Sequence, residues 1–132
     1  MATGLDSVPT FNDHEFDAVT VSFGIRNFDQ LPVAFKEMHR VLNDGGHLVI
    51  LESNQPSSAI MRAVNTLYLR SWVRLIGWMV SGNLSSYTYL AESIRAFYRP
   101  HDLQSMLRDA GFKTVTVSTH MMESVQIIHA IR

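Results

Sequence analysis

A strand, a helix, a double-glycine segment and a second strand follow one another within about forty residues. The first apolar run, FDAVTVSF at 16–23, is rich in Val and is typical of a strand buried on both faces of a parallel sheet. Asp29 and Pro32 mark the start of the helix, and Glu52 closes the second run, Leu48–Leu51. Because two parallel strands need a long crossover, usually a helix, this βαβ pattern predicts an α/β protein with a small, mostly parallel sheet.

The rest of the chain is predicted to be helical at first and to end in two strands. The C-terminal strands must pair antiparallel, because their connection of a few residues is too short for a parallel crossover. The predicted elements are helices at Ser57–Val80, Ser85–Tyr98 and His101–Ala110, and strands at Thr114–Thr119 and Val125–Ile131.

Length and composition predict a single domain, 1–132, of ordinary globular type, with 46% hydrophobic residues. The 11 Lys and Arg residues nearly balance 12 Asp and Glu, a net charge of −1, which argues against a nucleic-acid partner. The chain has no Cys, which excludes disulfides and thiol catalysis. Arginines interrupt its most hydrophobic stretch, Ala59–Val80, so an amphipathic helix is favoured over a membrane span, and we expect a cytoplasmic protein.

Polar residues follow the first strand in the order Ser22-Phe23-Gly24-Ile25-Arg26-Asn27. Ligands of open α/β sheets bind beyond the carboxyl ends of the strands, and this turn offers a hydroxyl, a close backbone approach and a guanidinium there. The alternative is a plain turn with a solvated Arg26. Glu52, which ends the second strand, is a further candidate, and its alternative is a surface carboxylate in a loop.

Three other patterns bear on ligand binding. Gly45-Gly46 follows a helix and precedes a strand, the reverse of a phosphate-binding loop, so a helix cap is the better interpretation. The six His residues lack the spacing of metal ligands, and no metal site is predicted. Tyr87 and Tyr89 can flank a flat apolar ligand, or one of them can pack in the core.

Three motifs in this order resemble one enzyme family. SFGIRN, RVLNDGGHLVILE and SSYTYLAESIRAF, followed by the tail AGFKTVTV, are similar to the ubiquinone and menaquinone biosynthesis C-methyltransferases, which are class I enzymes dependent on S-adenosyl-L-methionine (SAM). The resemblance extends from about Val8 to His129. It implies a partial Rossmann-like fold in which this chain supplies the contiguous strands 4-5-7-6 of the family's sheet.

The resemblance also implies roles for individual residues. Ser22 and Gly24 would contact the cofactor SAM, and Arg26 and Asn27 would be the catalytic residues near the oxygen of a lipophilic prenylated quinol. Helices between Ser57 and Tyr98, with Tyr87 and Tyr89 among their residues, would bind the substrate. The expected activity is methylation of a ring carbon of that quinol, in the cytoplasm or at the periphery of the inner membrane.

The sequence departs from the family most in its length. It contains no GxGxG and begins where the family's fourth strand is about to begin, so we expect the C-terminal half of a methyltransferase domain, truncated or separately encoded, weak or inactive alone. The first strand would be an open edge that can pair with another copy of the chain or with an N-terminal half. The alternatives are a non-catalytic protein- or quinone-binding partner, and a membrane-surface module using Trp72, Trp78 and nearby arginines.

Overall fold

The computed structural model describes residues 11–73, 75, 78, 79, 97–121 and 123–132. Its strands and helices follow one another in the order that the sequence predicts. They are β1 (Phe16–Ser22), a 3-10 turn (Ile25–Asn27), α1 (Leu31–Val41), β2 (Leu42–Ser53), α2 (Ala59–Tyr68) with a π-helical continuation (Leu69–Val73), α3 (Pro100–Asp109), β3 (Thr114–His120) and β4 (Val125–Ile131).

The four strands form one sheet in the order β1-β2-β4-β3. This is the order 4-5-7-6 that the resemblance implied, and the α/β fold class is confirmed. β1 and β2 are parallel, whereas β4 is antiparallel to both β2 and β3, as predicted for the last pair. The sheet is therefore mixed rather than mostly parallel. The reason is that the β3–β4 hairpin inserts its second strand beside β2, which reverses the direction of two of the three pairings.

The Asn-Asp-Gly-Gly segment lies inside β2 and is not the helix cap that the sequence predicted. α1 ends at Val41 and β2 begins at once. Phe16 pairs with Leu42 but Ala18 pairs with His47, so β2 carries extra residues here. The end of the chain holds this irregular stretch in the sheet, since Arg132 and the two glycines exchange backbone hydrogen bonds.

The hydrophobic core lies between one face of the sheet and the helices α1 and α3. Alternate residues of each strand point to this face, as the two-residue period of a strand requires. The core comprises Ile25, Leu31, Phe35, Leu42, Leu48, Ile50, Leu103, Leu107, Phe112, Val115, Ile128 and Ala130.

The opposite face of the sheet, which we call the open face, contains no fully buried residue among those described. Val49, Leu51 and Ile127 are half-buried there, and Thr20 and Ser22 are exposed. β1 lies at the edge of the sheet, with β2 as its partner among the described strands. A face with apolar residues and an unpaired edge beside it is the kind of surface that proteins normally cover.

The helices after β2 differ in part from the prediction. α2 has no buried residue, and Ile60 and Leu67 are 76% and 67% exposed. α3 begins at Pro100, one residue earlier than predicted, because proline lacks the N–H that the first helical turn leaves unpaired. Tyr98 is not helical, so the predicted helix at 85–98 does not reach its expected end, and the rest of it lies outside the described residues. Among the described helices, none is long and apolar enough to cross a membrane.

Candidate functional site

The turn after β1 changes direction sharply at Phe23. Its N–H donates to the carbonyl of Leu51 at 2.8 Å, which extends the pairing of β1 with β2 by one residue. Phe23 then adopts a φ of 51°, a left-handed conformation that is rare for a bulky side chain. Ile25, fully buried in the core, anchors the following 3-10 turn. Backbone strain of this kind persists only where the surrounding structure holds it, and it is concentrated at functional sites.

Arg26 and Glu52 approach each other beyond the carboxyl ends of the two parallel strands. The Arg26 Nη1 atom lies 3.9 Å from the Glu52 Oε1 atom, and the two side chains are 13% and 0% exposed. Glu52 is therefore neither a surface carboxylate nor a loop residue, and Arg26 is not simply solvated. The structure thus places Arg26 and Glu52 together at the ends of the two strands, a pairing that the sequence did not predict.

Gln126 adds a third polar side chain at the same level of the sheet. It lies directly opposite Glu52 in the pairing of β2 with β4, and it is fully buried. Arg26, Glu52 and Gln126 are called the buried polar cluster below. Four atoms of the cluster have no hydrogen-bond partner among the described residues: Arg26 Nη1, Glu52 Oε2, Gln126 Nε2 and Gln126 Oε1. Buried polar groups are nearly always paired, so these atoms need an explanation.

The remaining predicted site residues are not part of this cluster. Ser22 and Asn27 are exposed, and Ser22 points to the open face rather than towards the helices. Gly24 has a φ of −118°, which any residue can adopt, but an added Cβ would lie 3.3 Å from the Val21 Cγ1 atom. Tyr87 and Tyr89 lie outside the described residues.

Gln126 is the functional candidate that sequence reasoning missed. It is the only polar side chain at a buried position of β4, where it alternates with Ile128 and Ala130. A glutamine at an inward position of an apolar strand is a recognisable signal, because its amide needs partners inside the protein. Its pairing with Glu52 could not be read from the sequence, since that depends on the register between two strands far apart along the chain.

A cleft of about 340 Å³ lies beside the carboxyl end of β2, between the start of α2, residues 97–100 and the β3–β4 turn. The carboxylate of Glu123 accepts hydrogen bonds from the Ser57 N–H at 2.6 Å and the Ser57 hydroxyl at 2.7 Å. These bonds lower the pKa of Glu123. Arg62 donates to the Ser57 carbonyl at 3.0 Å, so polar contacts fix the wall of the cleft formed by the start of α2.

Comparison with known proteins assigns the sequence to one family of enzymes. A sequence model of the ubiE/COQ5 methyltransferase family matches residues 4–131. The chain belongs to the ubiE/COQ5 methyltransferase family. Its members use a class I methyltransferase fold, which agrees with the strand order observed here.

Individual relatives support the assignment. The chain is 47% identical over 104 residues to a demethylmenaquinone methyltransferase of Deinococcus radiodurans, covering 79% of this chain and 43% of the relative. It is 38% identical over 120 residues to the mitochondrial 2-methoxy-6-polyprenyl-1,4-benzoquinol methylase of Mus musculus, covering 91% of this chain and 36% of that protein. The chain thus spans less than half the length of these curated relatives.

A solved structure supports the fold alone. The phosphoethanolamine N-methyltransferase 2 of Haemonchus contortus, in complex with SAM, matches 93% of this chain and 34% of its own chain with a TM-score of 0.63 and 10% identity. Among the described residues, the acid that ends a parallel strand is Glu52, and it is fully buried beside Arg26 rather than open to a ribose diol. The described residues therefore do not fit SAM by themselves.

Proposed function

We propose that this chain is the C-terminal half of a SAM-dependent C-methyltransferase of quinone biosynthesis, methylating a ring carbon of a prenylated quinol. The observation that carries the proposal is the meeting of Arg26 with Glu52 beyond two parallel strands, in a chain of this family. Ligands of open α/β sheets bind at that position. SAM would supply the methyl group to the complete enzyme.

Arg26 is suited to one part of this chemistry. A ring carbon of a quinol becomes nucleophilic when a neighbouring hydroxyl loses its proton, so the enzyme must stabilise a phenolate. A guanidinium stays positively charged at every physiological pH and donates several hydrogen bonds, and the Arg26 side chain remains 13% exposed at the strand end. We assign Arg26 the role of stabilising the phenolate, with the exposed Asn27 beside it.

The open face and the edge of β1 support a partner that completes the domain. A chain with the GxGxG loop and three further strands would pair with β1 and cover the half-buried side chains of Val49, Leu51 and Ile127. A second copy of this chain is the other partner that the edge strand can accept. Without a partner, we expect the chain to bind SAM weakly or not at all.

Complementation tests this proposal. The N-terminal portion of the Deinococcus radiodurans relative is mixed with this chain, and transfer of a labelled methyl group to a demethylmenaquinol is measured. We expect turnover by the mixture and none by either part alone. Arg26→Ala should lower turnover by about 10²–10³-fold, the usual effect of removing one donor to a developing oxyanion. Arg108→Ala, an exposed arginine of α3, is the matched control and should leave turnover unchanged.

Calorimetry of the chain alone separates this proposal from a complete enzyme. Low-micromolar affinity for SAM, about −8 kcal/mol, would contradict the proposal that the pocket needs another segment. Stable pairing with the N-terminal portion without any turnover would instead favour the non-catalytic binding partner.

A membrane-surface role is the second candidate, and the exposed apolar residues of α2 favour it. Ile60, Val64 and Leu67 recur at helical spacing and are all exposed, and Trp72 beyond them is 61% exposed. Apolar residues of this kind, with tryptophans and nearby arginines, are typical of helices that lie in a membrane interface. Such contact would place the enzyme at the periphery of the inner membrane, where a lipophilic quinol resides. Flotation with vesicles containing anionic lipid tests it, and loss of flotation in Leu67→Glu is the expected result.

A further inference from the structure

We infer that Glu52 is a positioning residue for Arg26, and that Gln126 holds Glu52 in place; its catalytic consequence rests on the function proposed above. The inference starts from the burial of Glu52. A carboxylate removed from water is strongly destabilising unless it is paired with a cation or accepts hydrogen bonds. Glu52 is fully buried, and among the described residues its side chain accepts one hydrogen bond, at 2.9 Å, from the N–H of the next residue, Ser53.

Arg26 is the cation that compensates this charge among the described residues. The 3.9 Å between Arg26 Nη1 and Glu52 Oε1 exceeds the 2.7–2.9 Å of a direct charge-assisted hydrogen bond, so a small side-chain movement would convert the ion pair into one. The Glu52 carboxylate therefore attracts the Arg26 guanidinium towards the buried side of the strand end. The exposed part of Arg26 is left for a ligand.

The orphaned atoms of the buried polar cluster complement one another. Arg26 Nη1 and Gln126 Nε2 are donors, and Glu52 Oε2 and Gln126 Oε1 are acceptors, so the cluster contains equal numbers of unpaired donors and acceptors. Residues directly opposite each other in an antiparallel pair have Cβ atoms about 4.5–5.5 Å apart, which puts the Gln126 amide within reach of Glu52. A rotation of the two side chains then closes a network from β4 through β2 to the turn after β1.

Nuclear magnetic resonance of the chain alone tests this network without any assay of activity. The readout is the hydrogen-exchange rate of the Arg26 Nη hydrogens, the group that lies towards Glu52, whose signals are identified by their loss in Arg26→Lys. Glu52→Gln should raise this rate about tenfold or more, because a hydrogen bond to a charged group stabilises by about 1.5–3 kcal/mol. Glu37→Gln, at an exposed carboxylate paired with Arg40, is the matched control and should leave the rate unchanged.

A swap variant distinguishes positioning from a merely structural role. Combining Glu52→Gln with Gln126→Glu keeps one carboxylate and one amide in the cluster and moves the charge across one strand. We expect the swap to restore most of the protection of the Arg26 Nη hydrogens. If Glu52→Gln alone does not fold, a folded and protected swap still supports the network. A swap as unprotected as Glu52→Gln, or one that does not fold, overturns it.

Turnover in the complemented enzyme separates this inference from the proposed function. Glu52→Gln should lower kcat with little change in the KM for the quinol, and the swap should recover kcat in part. Changed exchange rates with no turnover in the parent would leave the network standing and refute the proposed function. Unchanged exchange rates and unchanged kcat in an active enzyme would refute the network instead.

Discussion

The two faces of the sheet have similar side chains but different surroundings. On the covered face, Ile50 and Ile128 are fully buried under α1 and α3. On the open face, their neighbours Leu51 and Ile127 are only half-buried. The central strands β2 and β4 are thus apolar on both sides, as in sheets that have helices on both faces. The difference indicates that the apolar side chains suit a layer of helices on each face of the sheet. The described residues provide the layer on one face only.

The polar residues follow the same division. The buried polar cluster lies on the covered side, whereas Ser22 lies on the open side. If Ser22 contacts SAM, as the resemblance implies, the cofactor site and the cluster meet across the end of β1. The open face would then provide the cofactor contact, and the covered face would provide the polar cluster beside it.

The largest expected effect is on the free energy of unfolding, when an apolar side chain on one face or the other is replaced by alanine. Ile50→Ala leaves a cavity in the core and should lower the free energy of unfolding by about 2–5 kcal/mol. Leu51→Ala, the next residue, should lower it by about 1 kcal/mol, because its side chain is already partly in water. Urea unfolding followed by circular dichroism measures both. Equal losses would mean that the open face is covered in solution.

A second comparison uses two glycines with positive φ. Gly111 lies two residues after α3 with a φ of 111°, and an added Cβ would lie 3.0 Å from the His39 Nε2 atom. Gly45 has a φ of 77°, and an added Cβ there would have no neighbour within 4 Å. Gly45→Ala should therefore cost the backbone strain alone, about 1 kcal/mol, and Gly111→Ala about 2 kcal/mol, since the contact adds to the strain. Thermal unfolding of the two variants checks the order, and a larger loss for Gly45→Ala would contradict it.

The smallest expected effect is a change in stability with pH that arises from His39 of α1. Burial, and then the positive charge of Arg132, lowers the pKa of His39 below its ordinary value of 6.5. The folded chain therefore binds fewer protons here than the unfolded chain, so stability falls as the pH drops below 6.5 towards the lowered pKa.

His39→Gln should reduce this loss of stability, which urea unfolding between about pH 7 and pH 5 measures. His101→Gln, at a side chain that is 88% exposed, controls for the loss of an imidazole as such. A slope as steep in His39→Gln as in the parent would assign the pH dependence to other groups.

Local patterns predicted most of the fold. Apolar runs located all four strands, and the short C-terminal connection correctly predicted an antiparallel pair, because such features depend on neighbouring residues. The same local reasoning predicts a helix cap at Gly45-Gly46, because the two residues follow a helix and precede a strand, and glycine commonly ends helices. The structure overrides that local preference by pairing the segment with Arg132 at the other end of the chain.

The sequence by itself determined the element order, the turn after β1 and, through its motifs, the family, because each is written in contiguous residues. Only the tertiary structure decided which polar groups meet. Arg26, Glu52 and Gln126 come from three separate parts of the chain, and one residue of slippage between β2 and β4 would turn Gln126 to the open face. The cluster therefore depends on strand register, which long-range packing sets and no local pattern encodes.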